Sequence, residues 1–459
     1  MSHIVILGGG PAGYVAAIRA RQLGAEVTLA EMDALGGTCT NRGCIPSKAM
    51  LRCAEVAREA REMDRFGVEV EFKSVNWTKV LQRKDQVVDQ LRKGVEFLMK
   101  EHGIRVVHGK GRLVEPHVVE IETEGAKETV RGDSVLLAVG STPAKLPLPG
   151  FDLPGVMNSD QILNIQRIPE SIAIIGAGPI GVEFADVFNS VGSKVTIIEL
   201  LPRLVPLEDE EISSELARSF RRRRIDTFLN AKVLGVVERD GKRVVQFEAD
   251  GQTKEVAVEV VLSAVGRWPN TEGIGLPEAG IEMNRRAIRA NARMETNVPG
   301  VYAAGDATGG ILLAHVAFQE GKVAIANALG QSTEMDYRAI PSVTYTHPEI
   351  GSTGLSEAKA KESGIDVKVG RFYFRAAGRA IAEGHREGVA KIVVDAATNK
   401  VIGGHVIGPR ATDLIHEVVL AVQMGLTAED LGEMVHGHPT LSEPIKEATE
   451  DALGIAIHK

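Results

Sequence analysis

Two distant stretches of this chain repeat one pattern of apolar, small and polar positions. The apolar run Ile4 to Leu7 stops at Gly8-Gly9-Gly10-Pro11-Ala12-Gly13. A helical pattern, Tyr14 to Leu23, follows, and then a second strand, Glu26 to Ala30, that ends at Glu31. Far downstream, Ser171 to Ile175 stops at Gly176-Ala177-Gly178-Pro179-Ile180-Gly181. It is followed by a helical run to Val191 and by a strand, Lys194 to Ile198, that ends at Glu199. Short apolar runs bounded by glycine read as buried parallel strands, and the 3.6-residue period behind each reads as a helix laid on the strand. The interval from first glycine to acid is the same in both copies. Two further apolar runs resemble each other, Ser134 to Gly140 (SVLLAVG) and Val260 to Gly266 (VVLSAVG). Thr296 to Asp306 reads as a buried strand ending in Gly305-Asp306 ahead of a helical pattern, Leu313 to Leu329. From Pro341 the pattern changes to short alternating strands and amphipathic helices without a glycine fingerprint, the last helix being Ile445 to Leu453.

The repeated unit has a physical reading. The first glycine (Gly8, Gly176) makes a tight turn, the second (Gly10, Gly178) admits a pyrophosphate, and the third (Gly13, Gly181) lets helix approach strand. The helix N-terminus then offers free N–H donors and positive dipole to phosphate. The acid closing the second strand (Glu31, Glu199) accepts from ribose hydroxyls. A carboxylate at Glu199 repels a 2′-phosphate, so the second unit is expected to prefer NAD to NADP. Arg203, and the run Arg221 to Arg224, read as solvated surface charge. The fold class is therefore α/β, with two Rossmann-like dinucleotide-binding domains and a C-terminal α+β domain. The Pro/Gly-rich crossing Pro143 to Gly155 separates the two units.

Composition narrows the function classes. At 459 residues the chain exceeds the size of one buried core, and no apolar run approaches a membrane span. A formal charge of −8 argues against a nucleic-acid or anionic-membrane surface. No export signal is visible, so a cytoplasmic location is expected. Of three cysteines, Cys39 and Cys44 lie together in Gly36 to Lys48 (GGTCTNRGCIPSK) while Cys53 stands apart. A close pair ringed by glycine and proline at a helix start, where the dipole favours thiolate, points to redox chemistry rather than a structural staple. Near the C-terminus His438-Pro439 is followed by Glu443. An imidazole beside a carboxylate can serve as a proton acceptor near neutrality. His436-x-His438 lacks a third ligand of suitable spacing, so no metal is expected.

On GGGPAG at Gly8, GGTCTNRGCIPSK at Gly36, GAGPIGVEFA at Gly176, YAAGDAT at Tyr302, YTHPEIGSTGLSE at Tyr345 and HGHPTLSE at His436, the chain resembles the pyridine nucleotide-disulfide oxidoreductase family, its lipoamide branch most closely. The resemblance covers essentially the whole chain. It implies a discontinuous FAD-binding domain (1–150 and 271–340), an NAD-binding domain (151–270) and a dimerisation domain (341–459). FAD would be held by Gly8, Gly10, Gly13, Glu31, Gly37, Thr38, Lys48, Gly140, Gly305, Asp306 and Ala314, and NAD by Gly176, Gly178, Gly181, Glu199 and Gly266. Cys39 and Cys44 would form the redox disulfide, with Cys39 the interchange thiol and Cys44 against the flavin. Lys48 and Glu183 would pair beside the flavin edge, and His438 with Glu443 would supply the base to the disulfide of the opposite subunit.

The activity so implied is oxidation of protein-bound dihydrolipoamide to lipoamide with reduction of NAD. The partners would be a second copy of the chain and a lipoyl-bearing acyltransferase or glycine-cleavage H-type protein. The alternatives are an NADH-dependent reductase of another small disulfide, or a flavin-bearing redox-sensing or interaction protein. A relative reducing mercuric ion would carry a C-terminal cysteine pair, and no cysteine follows Cys53. One departure stands out. Arg42 lies between the cysteines where the family has an uncharged, often apolar residue, and it would either point to solvent, lower a cysteine pKa or receive an anionic substrate.

Overall fold

The computed structural model describes all 459 residues. The first unit opens with strand His3–Leu7, buried at four of its five positions, flanked by the parallel strands Glu26–Glu31 and Ser134–Leu137. Arg105–His108 and Val301–Ala303 complete a five-stranded parallel sheet. The second unit repeats it. Ser171–Ile175 lies between Lys194–Ile198 and Val260–Ser263, with Asp226–Phe228 and Val156–Asn158 outside them. In each unit the connection from the third strand to the central pair is a three-stranded antiparallel meander, built from residues 110–131 in the first and 232–258 in the second. The outermost strand is where the copies differ. In the first it comes late, at 301–303, after the second unit has been completed; in the second it comes first, at 156–158.

The two crossings between the units pair with each other, Ser141–Pro143 running antiparallel to Arg267–Pro269. The ribbon fixes the units against one another at the carboxyl ends of their central strands, where open α/β sheets bind ligands.

Several helices begin or end away from their apolar pattern. The first helix is Pro11–Gln22 rather than starting at Tyr14, because proline at the first turn leaves no N–H to satisfy and its fixed φ suits the helix. The strands expected to run to Gly140 and Gly266 stop at Leu137 and Ser263, and the run Thr296 to Asp306 is a strand only over Val301–Ala303, with a turn of 3-10 helix from Gly305 to Thr308. The last helix is Glu443–Leu453. Arg223 corrects the expected solvated face over Arg221 to Arg224. Its guanidinium is largely buried, pairs with Asp186 and donates to the His347 carbonyl at 3.0 Å.

One long helix, Cys44–Arg61, belongs by chain order to the first unit and packs on the second. Met50, Leu51 and Ala54 join the apolar core of Ile172, Ile174, Phe184 and Phe188. Burial of each large side chain there contributes roughly 2 kcal/mol. At its far end Arg61 donates to the Ser190 carbonyl and Arg58 approaches Asp186 at 3.5 Å. The C-terminal domain is a five-stranded antiparallel sheet, in the order Ser342–Thr344, Glu349–Gly354, Val401–Gly408, Val389–Asp395, Val367–Tyr373, covered by helices Ala411–Met424 and Glu443–Leu453. No helix is long and apolar enough to cross a membrane.

Candidate active site

The two glycine loops are superimposable in their contacts. Gly8 and Gly176 hold φ of +100° and +101°, and a Cβ on either would strike the carbonyl of Ala138 or Ala264. A Cβ on Gly13 or Gly181 would strike the carbonyl of Gly8 or Gly176. At Gly178 a Cβ would meet nothing within 4 Å, and at Gly10 only the Gly37 Cα, 3.7 Å away. The second glycine of each loop thus faces open space of the kind a pyrophosphate fills. The acids are held alike as well. Glu31 accepts from the Gly9 N–H at 2.6 Å and the Asp33 N–H at 2.8 Å, and Glu199 accepts from the Ala177 N–H at 2.6 Å and the Leu201 N–H at 2.8 Å. Both carboxylates are buried.

A cleft of about 350 Å³ opens at the carboxyl ends of the first unit's strands, lined among others by Gly8, Glu31, Gly109, Lys110, Asn270 and Arg286. Gly140, at φ +69°, and Gly266, at φ +110°, follow the matching strands of the two sheets with nothing within 4 Å of an added Cβ. Gly305 and Asp306 form the 3-10 turn after Val301–Ala303. Ala314 is the first residue of helix Ala314–Ala328, which has no side-chain cap and leaves its first N–H groups free. These residues fit a dinucleotide of FAD type in the first unit and a pyridine nucleotide in the second.

The redox segment is pressed against the first loop. The Gly36 N–H donates to the Gly9 carbonyl at 2.8 Å, and a Cβ on Gly37 would meet Gly10. Gly37, Thr38, Cys39 and Arg42 lie on the short helix Gly37–Arg42, and Cys44 opens helix Cys44–Arg61. Cys39 and Cys44 are thiols hydrogen-bonded to each other. Cys44 is held down to about 7, first by the hydrogen bond from Cys39 and further by the Lys48 ammonium, against burial and the Glu183 carboxylate. Donating that bond, together with burial, pushes the Cys39 thiol up. The uncapped N-terminus of the helix at Cys44 works in the same direction as Lys48.

Lys48 Nζ lies 3.0 and 2.8 Å from the two carboxylate oxygens of Glu183, which stands on helix Pro179–Val191 of the second unit. The pair therefore spans the two units. Burial would lower the Lys48 pKa, but the Glu183 carboxylate outweighs it and holds it above its ordinary value. Of the readings for Arg42, its partial exposure at 41% fits a side chain turned toward solvent, and no effect on the cysteines accompanies it. Its guanidinium pairs with Asp33, lies 4.0 Å from Asp160, and is absent from the charges acting on either cysteine.

His438 lies on the loop before helix Glu443–Leu453 with its ring 80% exposed, and Nδ1 is 2.8 Å from Glu443 Oε1. Glu443 Oε2 accepts the Thr440 N–H at 2.8 Å. Burial works to raise the Glu443 carboxyl, but these hydrogen bonds hold it below the usual range. Nε2 of His438 is free to face a substrate or a second chain. His436 is a different kind of residue, its ring shielded and bonded at Nε2 to Glu417 at 2.7 Å.

Sequence reasoning missed the residues that hold these parts in place. Asn41 donates to the Leu35 and Gly37 carbonyls and closes the redox turn. Buried Glu320 accepts from the Gly305 N–H and the Tyr337 hydroxyl, both at 2.7 Å. Ser141 donates to Asp306, and Arg267 donates to Ser141, so the crossing ribbon braces the Gly305–Asp306 turn. Each is a single polar residue without a repeating spacing. Only its partner reveals it.

Residues 2–321 match the family described as pyridine nucleotide-disulphide oxidoreductase, and residues 340–449 match that family's dimerisation domain. A dihydrolipoyl dehydrogenase of Bacillus subtilis is 42% identical, covering 99% of this chain and 98% of its own length. A mitochondrial dihydrolipoyl dehydrogenase of Pisum sativum is 39% identical over 100% of this chain and 92% of its own. Among solved structures, LpdA from Mycobacterium tuberculosis superposes with a TM-score of 0.91 at 29% identity, covering 98% of this chain and 99% of that one. The HOCl-induced flavoprotein disulfide reductase RclA from Escherichia coli does so with a TM-score of 0.87 at 28% identity and the same coverage. With twin dinucleotide loops, a dithiol between them and a matching final domain, the chain belongs to the pyridine nucleotide-disulphide oxidoreductase family.

Proposed function

We propose that this chain is a flavin- and NAD-dependent dihydrolipoyl dehydrogenase, acting on dihydrolipoamide carried by a lipoyl-bearing acyltransferase or glycine-cleavage H-type protein in the cytoplasm. The observation that carries the reading is the Cys39–Cys44 pair pressed against the first dinucleotide loop, on a helix whose Lys48 bonds Glu183 of the second unit. Residues 1–150 with 271–340 are assigned to FAD, 151–270 to NAD and 341–459 to dimerisation. The chain works as a homodimer, and the exposed Leu420, Met424, Met434 and Val435 of its last domain give an apolar face for a second copy.

In this reading the oxidised couple is a Cys39–Cys44 disulfide. His438 Nε2 of one copy takes the proton of a substrate thiol, with Glu443 fixing the tautomer through Nδ1. The substrate thiolate attacks Cys39 Sγ of the other copy, and the Cys39–Cys44 bond breaks with Cys44 leaving as thiolate. Lys48 and the helix N-terminus stabilise that charge. The second substrate thiol then attacks the substrate sulfur of the mixed disulfide and closes the lipoamide ring. Cys39 leaves as thiolate and takes the proton held by His438, whose freed Nε2 accepts the proton of the attacking thiol. The substrate is oxidised by two electrons and the cysteine pair reduced by two. Bound FAD supplies the two-electron relay between the dithiol and NAD. Glu31 and the Gly8 loop orient the first dinucleotide, and Glu199 and the Gly176 loop the second.

Steady-state rates with dihydrolipoamide, glutathione and coenzyme A disulfide, each with NAD(H) and NADP(H), test the assignment. Dihydrolipoamide with NAD should lead. Faster turnover of another disulfide, or of NADP(H), overturns it in favour of a reductase of that disulfide.

A further inference from the structure

The Lys48–Glu183 pair has a third member. Tyr345, from the segment that opens the C-terminal sheet, places its ring under the ammonium, with Lys48 Nζ 4.5 Å from the ring centroid. The Tyr345 N–H also donates to Glu183 Oε1 at 3.0 Å. One residue of the last domain thus touches both the cation from the redox helix and the anion from the second unit. The two contacts are chemically separable, because the hydrogen bond comes from backbone and survives any side-chain change except proline.

We propose that Tyr345 is a positioning residue whose ring face holds the Lys48 ammonium toward Cys44 and so sets the thiolate character of the flavin-side cysteine. This rests on the reading of Cys39 and Cys44 as the redox couple. Lys48 sits among groups of opposite effect. Glu183 binds it from one side but, being anionic, works against a Cys44 thiolate. An aromatic face attracts the cation through its quadrupole and adds no negative charge. It therefore restrains Lys48 without cancelling the field at Cys44. Without the ring, Lys48 gains room to collapse onto Glu183 or to hydrate, and either weakens its pull on the thiolate. The charged and titratable groups facing this site are Cys39, Lys48, Glu183 and Arg267 around Cys44, and Glu349 and Asp413 around Tyr345. None of them replaces a cation held over the ring.

The test uses holoenzyme carrying Cys39→Ser, in which Cys44 is the remaining thiol of the pair and a serine hydroxyl keeps the donor beside it. The long-wavelength thiolate–flavin absorbance is titrated against pH for this parent and with Tyr345→Phe, Tyr345→Leu or Tyr345→Met added. The phenylalanine ring should leave the midpoint within about 0.2 pH units of the parent, and the two aliphatic variants should raise it by about one unit. The pH profile of Cys44 alkylation by iodoacetamide in the same proteins gives the midpoint without reference to flavin. A missing absorbance band therefore sinks the functional reading and leaves the Tyr345 result standing. A midpoint unmoved by Leu and Met, or moved as far by Phe as by Leu, overturns the proposal. Two aliphatic variants guard against one failing to fold, and a purely structural role would lower melting temperature without moving the midpoint.

Discussion

Cys44, Lys48 and His438 differ in how far their neighbours decide their chemistry. Cys44 needs its whole surround, since a thiol ordinarily near 9 reaches about 7 only with Cys39 donating and Lys48 adjacent. Because this pKa is depressed, the thiolate population grows as pH rises through about 7 and is lost below it. Replacing Lys48 with methionine removes a cation that favours the thiolate, so the alkylation midpoint of Cys44 in the reduced protein should rise by about one to two units. A midpoint at or below the wild-type value would contradict this role. His438 has a simpler dependence, with one carboxylate on Nδ1. His438→Gln should cut turnover of dihydrolipoamide by roughly 10²- to 10⁴-fold and leave NADH-driven reduction of bound flavin intact. Glu443→Gln, which keeps the shape and loses the charge, should cost less, about 10- to 100-fold, because the imidazole remains. Stopped-flow separation of the two half-reactions distinguishes these effects from misfolding.

Among elements, the matched loops invite a matched pair of substitutions. Gly181→Ala forces a methyl group onto the Gly176 carbonyl and pushes the helix off its strand. The expected outcome is a KM for NAD raised about tenfold or more with the flavin spectrum unchanged, since the first loop is a separate structure. Flavin lost from that variant would show that the loops are coupled. Helix Ala314–Ala328 lies on helix Pro11–Gln22 with Gly321 against the Ala12 carbonyl. Gly321→Ala should therefore lower stability by about 1–3 kcal/mol through overpacking and weaken flavin retention, both readable by thermal melts with and without added FAD.

For the whole molecule, His438 is exposed and bonded only to Glu443, and in the proposed function it serves a site completed by a second chain. A heterodimer of Cys39→Ser with His438→Gln then has one intact site and one doubly impaired site, while each parental homodimer has none. Co-expressed with distinct tags, the heterodimer should recover about half of wild-type turnover, whereas sites built within one chain would leave it as inactive as the parents. The second unit is clamped to the C-terminal sheet by buried charge, Lys391 bonding both Asp209 oxygens at 3.0 Å. Burial alone would raise Asp209, but His405 and Lys391 hold its carboxyl below the usual range. A depressed carboxyl gives stability that is complete above its unfolded pKa, near 4, and lost as pH falls through the folded value. The clamp should thus weaken only in acid. Lys391→Met, which strands Asp209, should destabilise the protein by roughly 3–5 kcal/mol at neutral pH, measured by denaturant unfolding.

The amino-acid sequence by itself determined both dinucleotide loops, the cysteine pair and the His438–Glu443 motif. Each is a local device in which the turn, the helix start and the acid lie within a few dozen residues, so steric need and chemistry write a readable spacing. The strand boundaries were less legible, because Ser134 to Gly140 stays apolar after the ladder has ended at Leu137 and hydrophobicity does not report where hydrogen bonds stop. The tertiary structure alone decided that Arg42 binds Asp33, that Arg223 is buried against Asp186, and that Glu320 and Asn41 carry the loops. It alone joined Lys48, Glu183 and Tyr345 from three parts of the chain. The charge of a side chain is written in the sequence, whereas the energy of that charge depends on desolvation and on partners that only folding brings near.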